Sequence, residues 1–122
     1  MNPDREDALF RIAYQALVSR HKKRWRLVPH IGFDIFKDLV TKPCVYCGHT
    51  GSNKLRDVQR GKVISNTVLR VNGIDRVDNK LGYTPTNSTT ACRFCNSGKS
   101  NHSVDYFRAW IKQVYKHLDL SE

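Results

Sequence analysis

The chain has 122 residues, with 21 Lys+Arg against 11 Asp+Glu for a formal charge of +10. That length allows one domain with a limited apolar core, for which a staple is a common aid. The charge points to a polyanionic partner, and no apolar run approaches the length of a membrane-spanning helix.

Residues 4 to about 23 read as a helix, because Leu9, Ile12, Ala13, Ala16 and Leu17 recur at helical spacing. Its end is a basic block holding Arg20, Lys22, Lys23, Arg24 and Arg26 around Trp25. Cations there suit the helix dipole, and Arg20, Lys23 and Arg24 equally suit contact with phosphate. Trp25 either packs inside or stacks on a base. A second short helix covers "GFDIFKDLV", with Phe33, Phe36, Leu39 and Val40 on one side and Lys42-Pro43 as its stop.

Residues 48 to 62 are polar and contain glycine, which predicts a loop. The segment "VISNTVLRVNGIDRV" carries the β-branched character of one or two strands. "LGYTPTN" is a turn punctuated by Gly82 and Pro85. "CRFCNSGK" opens a short helix, and Ser103 can cap a last one. In that last helix Val104, Phe107, Trp110, Ile111, Val114 and Leu118 form an apolar stripe expected to pack in the core.

The four cysteines, Cys44, Cys47, Cys92 and Cys95, form two Cys-x-x-Cys pairs. Each pair offers two thiolates from one tight turn, and two turns complete the tetrahedron of a closed, structural Zn²⁺ site. The chain opens on an amphipathic segment with early acids rather than a secretory signal, so an intracellular location is expected. Thiols there stay reduced and bind metal rather than pair as disulfides. A thioredoxin-like redox pair is the rival, but the βαβ setting it requires is not evident.

Taken together, "CVYCG", "NGIDRVDNKLGYTPTN" and "CRFCNSGK" resemble the HNH endonucleases of the ββα-metal superfamily, in the zinc-stapled branch common among phage proteins. The similar subgroup writes Asp-Arg in place of Asp-His and includes a rare-cutting restriction endonuclease. The resemblance covers roughly residues 44–99. It implies an α+β fold: a ββα-metal core on a Cys₄ zinc over residues 44–101, a basic helical extension over 1–43, and a C-terminal helix over 102–122.

It also implies divalent-metal-dependent hydrolysis of phosphodiester bonds in DNA, most naturally double-stranded. Asp75 and Asn96 would hold Mg²⁺ or Mn²⁺, whose preference for hard oxygen donors suits a carboxylate and an amide. Asn87 would orient the residue at the base position, although a turn asparagine bonding its own backbone fits the same segment. Arg76 stands where a histidine is usual. It has no lone pair to take a proton, but it can stabilise charge on a phosphate oxygen. Either His21 or His49 then serves as base, or the metal lowers the pKa of water.

Arg93 and Lys99, on the helix of the second knuckle, would position phosphates. A single metal site cuts one strand, so double-strand cleavage calls for a homodimer or two visits. A phage origin would place the protein in bacterial cytoplasm. The other reading is a catalytically inactive, zinc-containing DNA-binding protein.

Overall fold

A computed structural model describes residues 2–25 and 30–120; Arg26, last of the basic block, lies outside them. The amino-terminal amphipathic run forms helix α1 (Pro3–Arg24). The Asn2 side chain accepts from the Arg5 N–H at 2.8 Å, and Pro3 sits in the first turn, where it forfeits no helical hydrogen bond. Phe10, Leu17, Val18 and His21 are buried along this helix. Ile12, placed on that face by spacing alone, is 60% exposed. The buried stripe instead runs through Phe10, Ala13, Tyr14, Leu17 and His21, at steps of three and four.

Helix α2 (Phe33–Val40) buries Phe36 and Val40 as its pattern predicts. Tyr14 of α1 meets Phe33 and Phe36 ring to ring, at 5.6 and 5.4 Å. The supposed loop of residues 48–62 is largely a strand. β1 (Asn53–Gln59) pairs antiparallel with β2 (Lys62–Val71) in a long hairpin. Arg60 and Gly61 close it with φ of 50° and 77°, the paired positive values of a two-residue type I′ turn. The strand was hidden because its outer positions are charged, leaving Leu55 and Val58 as its only apolar residues.

β3 (Gly73–Arg76) and β4 (Ser88–Ala91) form a second antiparallel pair, with Asp75 opposite Thr89 and Arg76 opposite Ser88. Helix α3 (Arg93–Lys99) follows directly, with Cys92 as its N-cap. Helix α4 (Val104–Leu118) is capped as expected: the Ser103 hydroxyl accepts from the Tyr106 N–H at 3.1 Å.

Two apolar clusters lie on the two sides of the β3–β4 pair. The larger joins Phe10, Leu17, Ile31, Phe36 and Val40 to Val71 and Ile74. The smaller holds Cys44, Ala91 and Cys92, with Tyr46 and Cys95 against them. Cross-strand partners share a face and neighbours along a strand do not. Ile74 and Arg76 therefore look toward α1, while Gly73 and Asp75 look toward α3.

The expectation for α4 needs correction. Of its apolar stripe only Phe107 is buried, and Trp110, Ile111 and Leu118 are exposed. Phe107 packs on Tyr46, ring centroids 5.2 Å apart, and closely beside Gly98. Past that first turn and a half the helix is mostly open, with Val45 and Tyr46 only edging a groove beside Ile111 and Tyr115. Trp110, Ile111, Val114 and Tyr115 line an open surface groove of about 250 Å³ with Phe107 and Leu120. Periodicity reports an amphipathic helix without reporting what covers its apolar face. No helix among the described residues is long and apolar enough to cross a membrane.

Candidate functional site

The four cysteine sulfurs converge to within 4.8 Å of one another. The first knuckle is tied to the sheet by the Val45 N–H, which donates to the Thr90 carbonyl at 2.9 Å. Within each knuckle a backbone N–H points at sulfur: His49 to Cys47 and Cys95 to Cys92, both at 3.4 Å. Burial pushes the Cys44 thiol up, but N–H groups of Cys92, Cys47 and Tyr46 outweigh it and bring the pKa down to about 6. Cys95 is driven upward, first by burial and then by the neighbouring sulfurs. Four thiols this crowded resist ionising together, and a bound cation removes that conflict. The donor set and its convergence fit a tetrahedral metal ion.

One side of β3 carries Asp75, 4% exposed. The Tyr46 hydroxyl donates to its Oδ2 at 2.7 Å, and the Lys99 Nζ reaches its Oδ1 at 3.2 Å. Lys99 also donates to the Arg76 carbonyl at 3.1 Å and is wholly buried. This differs from the exposed phosphate contact expected of Lys99. Cys92, Asn96 and Lys99 are spaced at four and then three residues, so they share the face of α3 that meets β3. Burial raises the Tyr46 pKa, and its hydrogen bond to the Asp75 carboxylate raises it further. Tyr46 is therefore a protonated donor at neutral pH.

Asn96 is half-buried, and its Nδ2 lies 3.8 Å from where a Cβ on Gly73 would stand. Gly73 and Asp75 point the same way along β3, so Asn96 and Asp75 share one face. No hydrogen bond engages the Asn96 carboxamide among the described residues. Each Asp75 oxygen keeps a second lone pair beside the donor it already has. A carboxylate and an uncommitted amide oxygen fit a hard divalent cation.

Arg76 lies on the opposite face. Its guanidinium sits 4.5 Å from the Trp25 ring centroid and 5.5 Å from that of Tyr83. It donates to the Asn79 carbonyl at 2.6 Å and to that of Leu81 at 3.3 Å. Asn87, 5% exposed, fixes the same loop. Its Oδ1 accepts from the Asp78 N–H at 2.8 Å, and its Nδ2 donates to the Asp78 and Gly82 carbonyls at 2.9 Å. Asn87 binds turn backbone, and that turn supplies the acceptors holding Arg76.

The two candidate bases are placed very differently. His21 is 1% exposed, and its Nδ1 accepts from the Tyr83 N–H at 3.2 Å. A methyl group on Gly82 would stand 2.5 Å from its ring, so glycine is what allows the approach. His21 is thus an interior residue on the α1 side. His49 is exposed in the first knuckle, and its carbonyl accepts from Cys44 N–H and Asn72 Nδ2. Trp25 packs rather than stands free, its indole N–H on the Lys80 carbonyl at 3.2 Å. Arg20, Lys23, Arg24 and Arg93 are exposed.

This arrangement of helices, two small sheets and knuckles has a counterpart among solved structures. The rare-cutting HNH restriction endonuclease PacI, described for an extraordinary mechanism of DNA perturbation, superposes with a TM-score of 0.57. The match covers 88% of this chain and 78% of that one, at 23% identity. The fold is HNH-like. In this HNH-like frame the four cysteines are clustered to hold a metal ion, zinc being the expectation. Uncharacterized protein R423 of Acanthamoeba polyphaga mimivirus is 36% identical over 84 residues, 66% of this chain. The chain spans 13% of that relative's length. No protein-family model matches the chain.

Sequence reasoning underrated Lys99 and Tyr46. The signal for Lys99 was its helical spacing from Asn96; the coupling of Tyr46 to Asp75, 29 residues away in sequence, left no local trace.

Proposed function

We propose that this protein is a divalent-metal-dependent endonuclease that hydrolyses phosphodiester bonds in double-stranded DNA. The observation that carries the reading is the β3–α3 face: within an HNH-like fold, a buried carboxylate and an uncommitted carboxamide lie on the same side. Asp75 and Asn96 hold Mg²⁺ or Mn²⁺, and Cys44, Cys47, Cys92 and Cys95 hold a structural Zn²⁺. A cation held by Asp75 and Asn96 would supply charge stabilisation at the phosphate being cut.

The chain's own residues set up that site. Zinc on the four cysteines would fix the start of α3, and with it the positions of Asn96 and Lys99. Lys99 and Tyr46 hold the Asp75 carboxylate in one orientation. Asn87 shapes the turn whose carbonyls hold the Arg76 Nη1, so Arg76 braces the far side of β3. With His21 in the interior, His49 is the side chain retained as proton acceptor. Arg20, Lys23, Arg24 and Arg93 contact phosphates.

A second reading has its own support. Both Asp75 oxygens already have a donor, one of them a lysine, which is how a site that no longer binds metal would neutralise its carboxylate. That protein would bind DNA and cut nothing. Supercoiled plasmid incubated with Mg²⁺, Mn²⁺ or neither separates the two. Metal-dependent nicking that Asp75→Ala and Asn96→Ala abolish supports the enzyme. Nicking that survives both substitutions sinks the assigned site, and none at any metal concentration leaves the binding protein. Full activity in His49→Ala removes that histidine as the base.

A further inference from the structure

The β1–β2 hairpin has no role in the site just described, yet it concentrates charge. Between residues 53 and 71 stand Lys54, Arg56, Arg60, Lys62 and Arg70, with Asp57 as the one acid. Asp57 is turned inward, 4% exposed, and is already paired with Arg5 at 2.7 Å. The five cations are exposed and make no ion pair among the described residues.

Register sorts them by face. Lys54 stands opposite Arg70 and Arg56 opposite Val68, while Leu55 opposite Leu69 packs toward the core. Lys54, Arg56 and Arg70 therefore share the outer face. Like charges directly across a strand pair destabilise it, and no ion pair among the described residues relieves this one. Arg60 adds a second cost: it occupies a left-handed turn position, φ 50°, where Asn, Asp or Gly is the usual choice. Toward the tip, Val58, Val63 and Ile64 are exposed apolar side chains among these cations.

The root of the hairpin adjoins the candidate site. The Ser52 hydroxyl accepts from the Arg93 N–H, at the first residue of α3, at 2.9 Å. Asn53 Nδ2 and Asn96 Nδ2 both lie within 4 Å of the Cβ position at Gly73. Arg20 of α1 lines a depression with Asn53 and Leu55, on the hairpin's inner side.

We propose that the β1–β2 hairpin is a major-groove docking arm that lays its Lys54–Arg56–Arg70 face against double-stranded DNA. A two-stranded ribbon fits the B-form major groove, and seven residues span about 23 Å, roughly seven base pairs. The exposed valines and isoleucine suit thymine methyl groups, which charge alone would not read. This deepens the nuclease reading by supplying the surface that delivers duplex to the β3–α3 face.

The test is fluorescence anisotropy of the full, zinc-loaded chain on a 30-base-pair duplex across a salt titration, without added Mg²⁺ or Mn²⁺. The triple variant Lys54→Ala/Arg56→Ala/Arg70→Ala should bind about 10- to 100-fold more weakly. Its log K against log [salt] slope should be shallower by about 2.7, three contacts at 0.9 each. A charge-matched control, Arg108→Ala/Lys112→Ala/Lys116→Ala on α4, should change neither much. Equal losses from the two triples, or none from the hairpin triple, overturn the arm. Dimethyl sulfate footprinting should show protection at guanine N7; protection confined to adenine N3, in the minor groove, also overturns it. The outcomes separate from those for catalysis. Hairpin-dependent binding without cutting keeps the arm and removes the nuclease. Plasmid cutting with binding indifferent to the hairpin does the reverse.

Discussion

Asp75 and Arg76 are neighbours in sequence and inhabit different parts of the molecule. Asp75 looks toward α3, where a lysine and a tyrosine hydroxyl engage its two oxygens. Arg76 looks toward α1, where aromatic rings and loop carbonyls surround its guanidinium. The two-residue repeat of a strand enforces this. A dipeptide signature on a strand therefore specifies one group on each side of a sheet, and only Asp75 lies on the side of Asn96.

Four experiments sharpen or break that contrast. The largest effect is expected at the four-cysteine cluster on the Asp75 side. Stripping zinc with a strong chelator, or Cys95→Ser, should remove the cooperative thermal transition, since structural zinc supplies about 10 kcal/mol or more in comparable knuckles. A melt unaffected by chelator would mean that the cysteines do not organise α3. Next comes Lys99→Met, which leaves the buried Asp75 without its cation. A loss of about 3–5 kcal/mol in urea denaturation is expected. Added Mn²⁺ should recover part of it, because an ion that binds only the folded state stabilises it by mass action. A destabilisation that metal does not touch would indicate that Asp75 serves the fold alone.

On the Arg76 side, Asn87→Ala should cost about 1–3 kcal/mol by leaving the buried Gly82 carbonyl and the partly buried Asp78 backbone groups without this partner. Trp25 fluorescence should shift as the loop beneath Arg76 loosens. An unchanged spectrum with an unchanged melt would show that the turn holds itself. The smallest effect tests where the Asp75 side ends along α4. Trp110→Ser should move stability by no more than about 0.5 kcal/mol, whereas Phe107→Ala, beneath Tyr46, should cost about 3–5 kcal/mol. Comparable losses from the two would mean that the outer stripe of α4 is covered in solution.

The readings that held from sequence were local ones. Two Cys-x-x-Cys turns, a capped helix at Ser103, the strand through Asp75 and the helix opening at Cys92 each depend on residues a few positions apart. The spacing of apolar groups, the cap chemistry of serine and the two-ligand reach of a knuckle are written at that range, while the HNH-like layout rested on the resemblance of the motifs between residues 44 and 99. What the sequence could not decide was orientation and cover. The β1–β2 hairpin was hidden because a strand with a charged outer face leaves only a faint apolar alternation. His21 could be placed in the interior only once α1 was packed against Gly82, and Lys99 only once α3 lay across β3. The apolar stripe of α4 has the same period whether or not anything lies against it. Tertiary structure alone brings Tyr46, Asp75 and Lys99 together, because burial and contact depend on which surfaces meet, and segments distant along the chain carry no record of that in their own patterns.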